Sequence, residues 1–334
     1  MALSHPLAAP LERQLRAFGG HLPGAVDGEV EPLHQCRVAT RRLREILPLC
    51  AAETSQAMAA RARRRVRRVG RALGPVREID VSIGVAEELA QRQFVQGPAW
   101  ERLRQHLLDE REERREQMLE RLRSINTRKL ERDLAEVARA LGLRLQTDAW
   151  AQTLAGRMAR RARNLRDTIT VAGSLYIPDR VHAVRIAAKQ LRYALEFAGE
   201  TGEARTKGAV RQVKAVQETL GRLNDLDVLA GLVQGFVVPG DPQPWHAELE
   251  ALRMRVEAEC RKLHGRYVAR QAALLETCDT AAAVARRILA ERGGEPLSGR
   301  RARSAGQGPG GRALKMTLAD PPPADREVSG GGQG

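Results

Sequence analysis

The stretch "LHQCRVATRRLR", from Leu33 to Arg44, decides the architecture because it forms a two-faced pattern at helical spacing. Four of its five basic side chains share an arc of roughly 80° when successive residues are placed about 100° apart; they are His34, Arg37, Arg41 and Arg44. The opposite side is apolar and continues past the stretch, with Cys36, Ala39, Leu43, Ile46, Leu47 and Cys50. The sequence therefore predicts a helix with a core face and a basic face.

The same pattern returns in "VHAVRIAAKQLR", from Val181 to Arg192. The gapless alignment pairs His34 with His182, Arg37 with Arg185, Arg41 with Lys189, and Arg44 with Arg192. A second block, "RRVRRVGRALGPVREID" at 64–80, aligns with "RQVKAVQETLGRLNDLD" at 211–227. Two matched blocks in the same order predict an internally duplicated unit.

Apolar residues recur at spacings of three and four from Glu31 to about Ala290, and no segment alternates as a strand does. We therefore expect an all-α protein of two similar antiparallel helical bundles around a basic cavity. The first repeat is predicted at about 11–145 and the second at about 146–292. Residues 293–334 lose all periodicity and fill with Gly, Pro and Arg, which predicts a disordered tail.

Helix boundaries are predicted where Gly and Pro gather. These places are the stretch 18–32, Gly74, Gly97, the stretch 171–180 and the stretch 237–245. The segment from Trp100 to Ile125 mixes acids and arginines at helical spacing, so it is expected to form one long helix with an ion-paired, solvated face.

The charge pattern raises the question of a partner. The chain has 56 Lys and Arg against 41 Asp and Glu, a formal charge of +15, which favours polyanions without naming one. Solvated helix faces usually alternate signs, yet neither basic stripe contains an acid, and like charges at this spacing repel by about 0.2 to 0.5 kcal/mol per pair. A further basic row follows each stripe: Arg64, Arg67 and Arg71 in the first copy, and Lys207, Arg211 and Lys214 in the second. We expect these rows to face the stripes across an anion-binding groove.

The histidine stripes and the "LGPVREID" and "LGRLNDLD" turns resemble the CHAD family, the conserved histidine α-helical domain, from about Leu11 to Ala290. The resemblance implies two helical bundles around a basic cavity that binds inorganic polyphosphate, and an association with polyphosphate granules. It implies binding roles for His34, Arg37, Arg41, Arg44, His182, Arg185, Lys189 and Arg192, with Arg64, Arg67, Arg71, Arg211 and Lys214 beside them. Gln190 and Glu218 replace basic residues of the first copy, so the second half is expected to bind more weakly.

Nucleic-acid binding and enzymatic activity are the two other classes of function to consider for this sequence. A nucleic-acid-binding protein could use the same basic surface and the "RRAR" of the tail, but Tyr193 is the only aromatic residue in the stripes for base stacking. An enzyme is not expected, because the sequence has no GxxxxGK[ST] loop and no paired carboxylates beside the stripes. Some CHAD proteins carry an ExExK strand, whereas "EVEPL" at Glu29 has no lysine and contains a proline.

The sequence also indicates what the protein lacks and where it works. Neither histidine has a second ligand at metal-binding spacing, so neither a metal nor a cofactor is expected. The four cysteines are widely spaced, which favours reduced thiols in the cytosol. With neither a signal peptide nor a membrane span expected, we predict a cytoplasmic protein at polyphosphate granules. The oligomeric state and the preferred polyphosphate length stay open.

Overall fold

The computed structural model describes residues 5–143, 147–237 and 243–293. Its helices are α1 (Ala8–Asp27), α2 (Val30–Glu53), α3 (Gln56–Ala72), α4 (Gly74–Gln91), α5 (Gly97–Arg123), α6 (Thr127–Gly142), α7 (Ala149–Ala172), α8 (Pro178–Glu200), α9 (Lys207–Phe236), α10 (His246–Val268) and α11 (Gln271–Glu291). These residues contain no strand, so the all-α prediction is confirmed. The predicted tail lies outside the described residues, except for Gly293.

Neighbouring helices pair in a similar order in the two halves. In the first half α1 packs on α2, α2 on α3, and α4 on α5, while α7 packs on α8, α8 on α9, and α9 on α10 in the second. The halves meet where α2 contacts α7 and where α4 contacts α9. The apolar stripes of these helices join in one core that includes the fully buried Leu43 and Leu191. The basic stripes of α2 and α8 are therefore left on the side that faces away from this core.

The boundary predicted within 18–32 falls at Gly28 and Glu29, but the earlier glycines and the proline do not break the helix, because α1 continues through Gly19, Gly20 and Pro23. Phe18, Leu22 and Ala25 of this segment are buried, and their packing outweighs the weak helix propensity of the glycines and the proline. Gly28 then ends the helix at φ 85°, a left-handed conformation that glycine adopts without strain.

The two aligned blocks at 64–80 and 211–227 differ in one respect. In the first block the chain breaks at Leu73, where Pro75 near the start of α4 has no N–H to continue the helix. In the second block α9 runs without a break through Leu220 and Gly221. The first half therefore reaches the cavity with a separate helix, α4, and the second half with the later turns of one long helix.

The segment from Trp100 to Ile125 forms the long helix that its pattern predicts, α5. Its face is ion-paired, as in the pair between Arg114 and Glu110, but it is not wholly solvated. Arg111 reaches into the first bundle, where its Nε lies 2.7 Å from Oδ1 of the buried Asp80. This contact fixes α5 against α4 through a charge-assisted hydrogen bond.

Candidate functional site

A cavity of about 610 Å³ lies between α2, α4, α8 and α9. The basic stripes of α2 and α8 form one side of it, and α4 with the later turns of α9 forms the other. The structure brings these predicted site residues together in its lining: His34, Arg37, Arg41, Arg44, His182, Arg185 and Lys189. Side chains that are far apart in the chain thus share one concave surface.

The other predicted residues do not line the cavity. They are Arg64, Arg67 and Arg71 of α3, Arg192 of α8, and Arg211 and Lys214 of α9. Arg192 turns away because its Nη1 donates a hydrogen bond of 2.9 Å to Glu196, and its guanidinium covers the Tyr193 ring at 5.0 Å. The expectation that the rows on α3 and α9 face the stripes is therefore wrong, and a role for these residues in binding stays a prediction.

The wall opposite the stripes comes from the matched turns "LGPVREID" and "LGRLNDLD" instead. Gly74, Arg77 and Glu78 line the cavity from α4, and their aligned partners Asn224 and Asp225 line it from α9. The duplication of the two turns in the sequence is a signal that could have indicated this wall. The sequence-based prediction instead assigned the wall to the basic rows that precede the turns.

Hydrogen bonds fix several of the lining side chains. Nη1 of Arg37 donates to the Gly70 carbonyl oxygen at 2.9 Å, beside the break between α3 and α4. A Cβ on Gly74 would lie only 3.1 Å from the same nitrogen, so glycine makes room for the guanidinium. Arg41 donates to the Tyr193 hydroxyl at 3.2 Å across the two halves. These groups therefore hold a preformed arrangement.

The lining contains two histidines in different surroundings. Burial lowers the pKa of His34, and the positive charges of Arg77, Arg41 and Arg37 lower it further, against an opposing effect of Glu31. Nearby positive charges thus act on His34, but burial is the larger cause of the lowered pKa. Nδ1 of His182 lies 2.7 Å from Oδ1 of Asn224, so this ring is held by an amide of α9.

The cations of the lining stand without a close ion pair in the described part of the chain. Arg37, Arg41, Arg44, Arg77, Arg185 and Lys189 form no ion pair with any acid in the described part of the chain. Burial lowers the pKa of Lys189 to about 7, and the neighbouring Arg41 and Arg185 add to this effect. Burial and Arg41 also lower the pKa of Arg37 to about 10. Charges so close together and partly removed from water favour an anion among them.

The cavity is not basic throughout, although the sequence predicts a basic cavity. Five carboxylates also line the cavity: Glu45 of α2, Glu78 of α4, Asp179 at the start of α8, and Asp225 and Asp227 of α9. Burial raises the pKa of Asp225, although the positive charge of Arg185 opposes this shift. The sequence predicts no paired carboxylates beside the stripes; these five acids all lie outside the stretches 33–44 and 181–192, and the fold brings them to the cavity.

Glu45 differs from the other acids because it is already neutralised. Its Oε2 accepts a hydrogen bond of 2.7 Å from Arg157 and a second, short one from Arg161, both on α7. These contacts hold the carboxylate against α7, although its negative charge still opposes the lowering of the pKa of the neighbouring Arg44. They also tie the two halves of the chain together, since α2 lies in the first half and α7 in the second.

Metal sites, membrane-spanning helices and cysteines are three further features to consider in the described residues. Over the described ranges, no three or more His, Cys, Asp or Glu side chains are grouped so that they could hold a metal ion. None of the described helices combines the length and the apolar character that crossing a bilayer requires. The four cysteines are buried, unpaired thiols.

The fold and the site define an all-helical domain with a cavity whose lining holds six Lys and Arg side chains beside five carboxylates. The family model of the CHAD domain matches residues 9–234, and the chain belongs to this family, which is associated with polyphosphate-related proteins. The resemblance that the histidine stripes carry is thus confirmed.

Solved structures agree with this assignment. The CHAD domain from the plant Ricinus communis is 25% identical, with a TM-score of 0.54 over 85% of this chain and 94% of that one. PptA from Streptomyces chartreusis shares the fold at 17% identity, with a TM-score of 0.53 over 84% of this chain and 97% of that one. No curated protein shows significant similarity.

Proposed function

We propose that this protein binds inorganic polyphosphate in the cavity between α2, α4, α8 and α9, and that it works in the cytoplasm at polyphosphate granules. The observation that carries the proposal is the set of cavity-lining cations without an ion pair in the described residues. A linear anion with about one negative charge per phosphate would neutralise several of these cations at once. Arginine suits this task, since its planar group donates two hydrogen bonds to neighbouring oxygens.

Binding without catalysis is the second part of the proposal. The hydroxyls of the lining are those of Ser82 and Tyr193, and both are already engaged. Ser82 donates to the Glu78 carbonyl oxygen at 3.2 Å, and the Tyr193 oxygen accepts from Arg41. Neither hydroxyl is therefore hydrogen-bonded to a histidine or carboxylate side chain of the described residues, as a serine or tyrosine nucleophile beside a general base would be, which favours a binding role.

A nucleic-acid-binding role is the alternative, and the cavity offers little for it. Base stacking needs an accessible aromatic face. The Tyr193 ring is buried, and Arg192 covers it. Duplex binding would have to use the exposed arginines outside the cavity, which contact phosphates without stacking.

Competition binding tests the proposal. The assay measures how well unlabelled polyphosphate, duplex DNA and RNA each displace labelled polyphosphate from the protein. All three are compared at one salt concentration, because affinities for polyanions depend steeply on salt. We expect polyphosphate to displace the label at a far lower phosphate concentration than either nucleic acid. Equal displacement per phosphate would contradict a polyphosphate-specific cavity and support the alternative.

A further inference from the structure

The outer face of α3 carries an unusual density of free cations. The helix contains seven arginines and no acid. Arg65 pairs with Asp133, and Arg68 donates to Ser124. The others are exposed and form no ion pair with any described residue; they are Arg61, Arg63, Arg64, Arg67 and Arg71.

The packing of α3 against α2 places part of this face next to the cavity. The two helices run antiparallel through the short link at Thr54 and Ser55. Thr40 lies opposite Gly70, where an added Cβ would be 3.3 Å from the threonine hydroxyl. One turn further along α2 is Arg44, and one turn back along α3 is Arg67. Arg63 follows about 6 Å beyond it, at 1.5 Å per residue.

The electrostatics of Arg44 agree with this register. Partial burial lowers its pKa, Glu45 opposes the shift, and Arg67 and Arg63 are the strongest cationic neighbours that lower it further. Arg44 itself lines the cavity. A continuous row of cations thus leads from the cavity, past Arg44, to the open face of α3.

The second half offers no comparable row. Arg211 and Lys214 are exposed on α9, but this helix reaches the cavity only from Asn224 onward, about 15 Å further along at 1.5 Å per residue. Glu218 stands between them and the cavity, where the first half has Arg71. The two rows that the sequence treats as equivalent therefore differ in their connection to the cavity.

We propose that Arg63 and Arg67 form an external track that binds the part of a long polyphosphate chain that leaves the cavity past Arg44. The inference rests on the proposed function and adds a dependence on chain length. A short polyphosphate is neutralised within the cavity, whereas a long chain carries further charges that need cations outside it. Long chains gain affinity from the track, and short ones do not.

The test compares two probes on the full chain, tripolyphosphate and a long-chain polyphosphate, at several salt concentrations. The track variant is Arg63→Gln with Arg67→Gln, and the matched control is Arg128→Gln with Arg132→Gln, which removes the same charge from the exposed face of α6. We expect the track variant to lose roughly tenfold in long-chain affinity and to reduce the slope of log affinity against log salt by roughly 1 to 2, as for two lost phosphate contacts. Its tripolyphosphate affinity and the long-chain affinity of the control should change less than twofold.

Other outcomes separate the inference from the proposed function. Equal losses in the track variant and the control, or no loss in either, would overturn the track while leaving cavity binding intact. A track variant that loses duplex DNA binding but keeps long-chain polyphosphate affinity would assign this face to nucleic acid and overturn the inference. Wild-type protein that binds neither polyphosphate would refute the proposed function itself.

Discussion

Replacing Lys189 with methionine tests whether the cavity recognises phosphate through a lysine that gains its proton on binding. Burial lowers the pKa of Lys189 to about 7, and Arg41, Arg185 and Arg192 contribute to this shift. In the free protein the side chain therefore loses its charge as the pH rises past neutrality. A bound phosphate chain would supply the missing negative charge and raise the pKa again.

The expected size of the effect follows from proton linkage. If bound phosphates restore the pKa of Lys189 to about 10, close to the ordinary lysine value, binding takes up nearly one proton above pH 7. The affinity should then fall about tenfold between about pH 6 and pH 8, which is about 1.4 kcal/mol of binding free energy. The variant Lys189→Met cannot take up this proton, so its affinity should be lower at about pH 6 and change much less with pH.

The assay is the affinity for a long polyphosphate at several pH values and constant ionic strength, since long chains keep the titrating end groups to a small share of the phosphates. A second variant, His34→Gln with His182→Gln, measures the histidine contribution, and we expect it to keep most of the slope. A wild-type affinity that does not fall between about pH 6 and pH 8, or an unchanged slope in Lys189→Met, would refute the role of Lys189.

The stability of the free protein gives an independent readout for the same residue. The folded protein holds the pKa of Lys189 below its unfolded value, so the cost of the buried charge is fully present below about pH 7 and is relieved as the pH rises. Lys189→Met should therefore raise the melting temperature of the free protein more at about pH 6 than at about pH 9. An equal gain at both pH values would mean that the substitution acts through packing alone.

Three further predictions follow from the cavity wall. The double variant Arg41→Glu with Arg44→Glu should abolish polyphosphate binding and leave the helical circular dichroism nearly unchanged, whereas the exposed control Arg128→Glu with Arg132→Glu should keep the affinity. Leu43→Ala should instead cost about 2 to 5 kcal/mol of unfolding free energy, because Leu43 is fully buried, and denaturant titration measures this loss. Glu45→Gln should raise the affinity for short and long polyphosphate alike, since it releases two arginines of α7 from an acid at the cavity; unchanged titration curves would contradict this.

The sequence predicts the cation-bearing side of the site well, because that side depends on local geometry. The stripe around Arg37 and Arg41 follows from helical spacing alone, and its return around Arg185 and Lys189 marks a second helix of the same kind. The placement of Arg192 was missed for a local reason. Glu196 lies one turn further along the same helix and attracts the guanidinium away from the cavity.

The opposite wall could not be predicted, because it depends on the course of the chain after each basic row. Pro75 ends α3 early and turns a new helix, α4, toward the cavity, while α9 continues straight and brings Asp225 there. Carboxylates of α4 and α9 thus reach the cavity, and residue spacing along α2 and α8 gives no information about them. Tertiary packing also decides the course of α1. Its glycines and proline predict a break, but the burial of Phe18 stabilises the helix through this segment.

The sequence by itself determined the helical class, the duplicated basic stripes and the family, since each depends on residue spacing along one helix or on recurrence along the chain. Only the tertiary structure decided which cations meet around one cavity and which, such as Arg67, stay on an outer face. It also decided that Lys189 is partly buried among arginines, which changes its pKa. The physical reason is that desolvation and charge-charge effects depend on distances between helices, and these distances are set by core packing and helix ends.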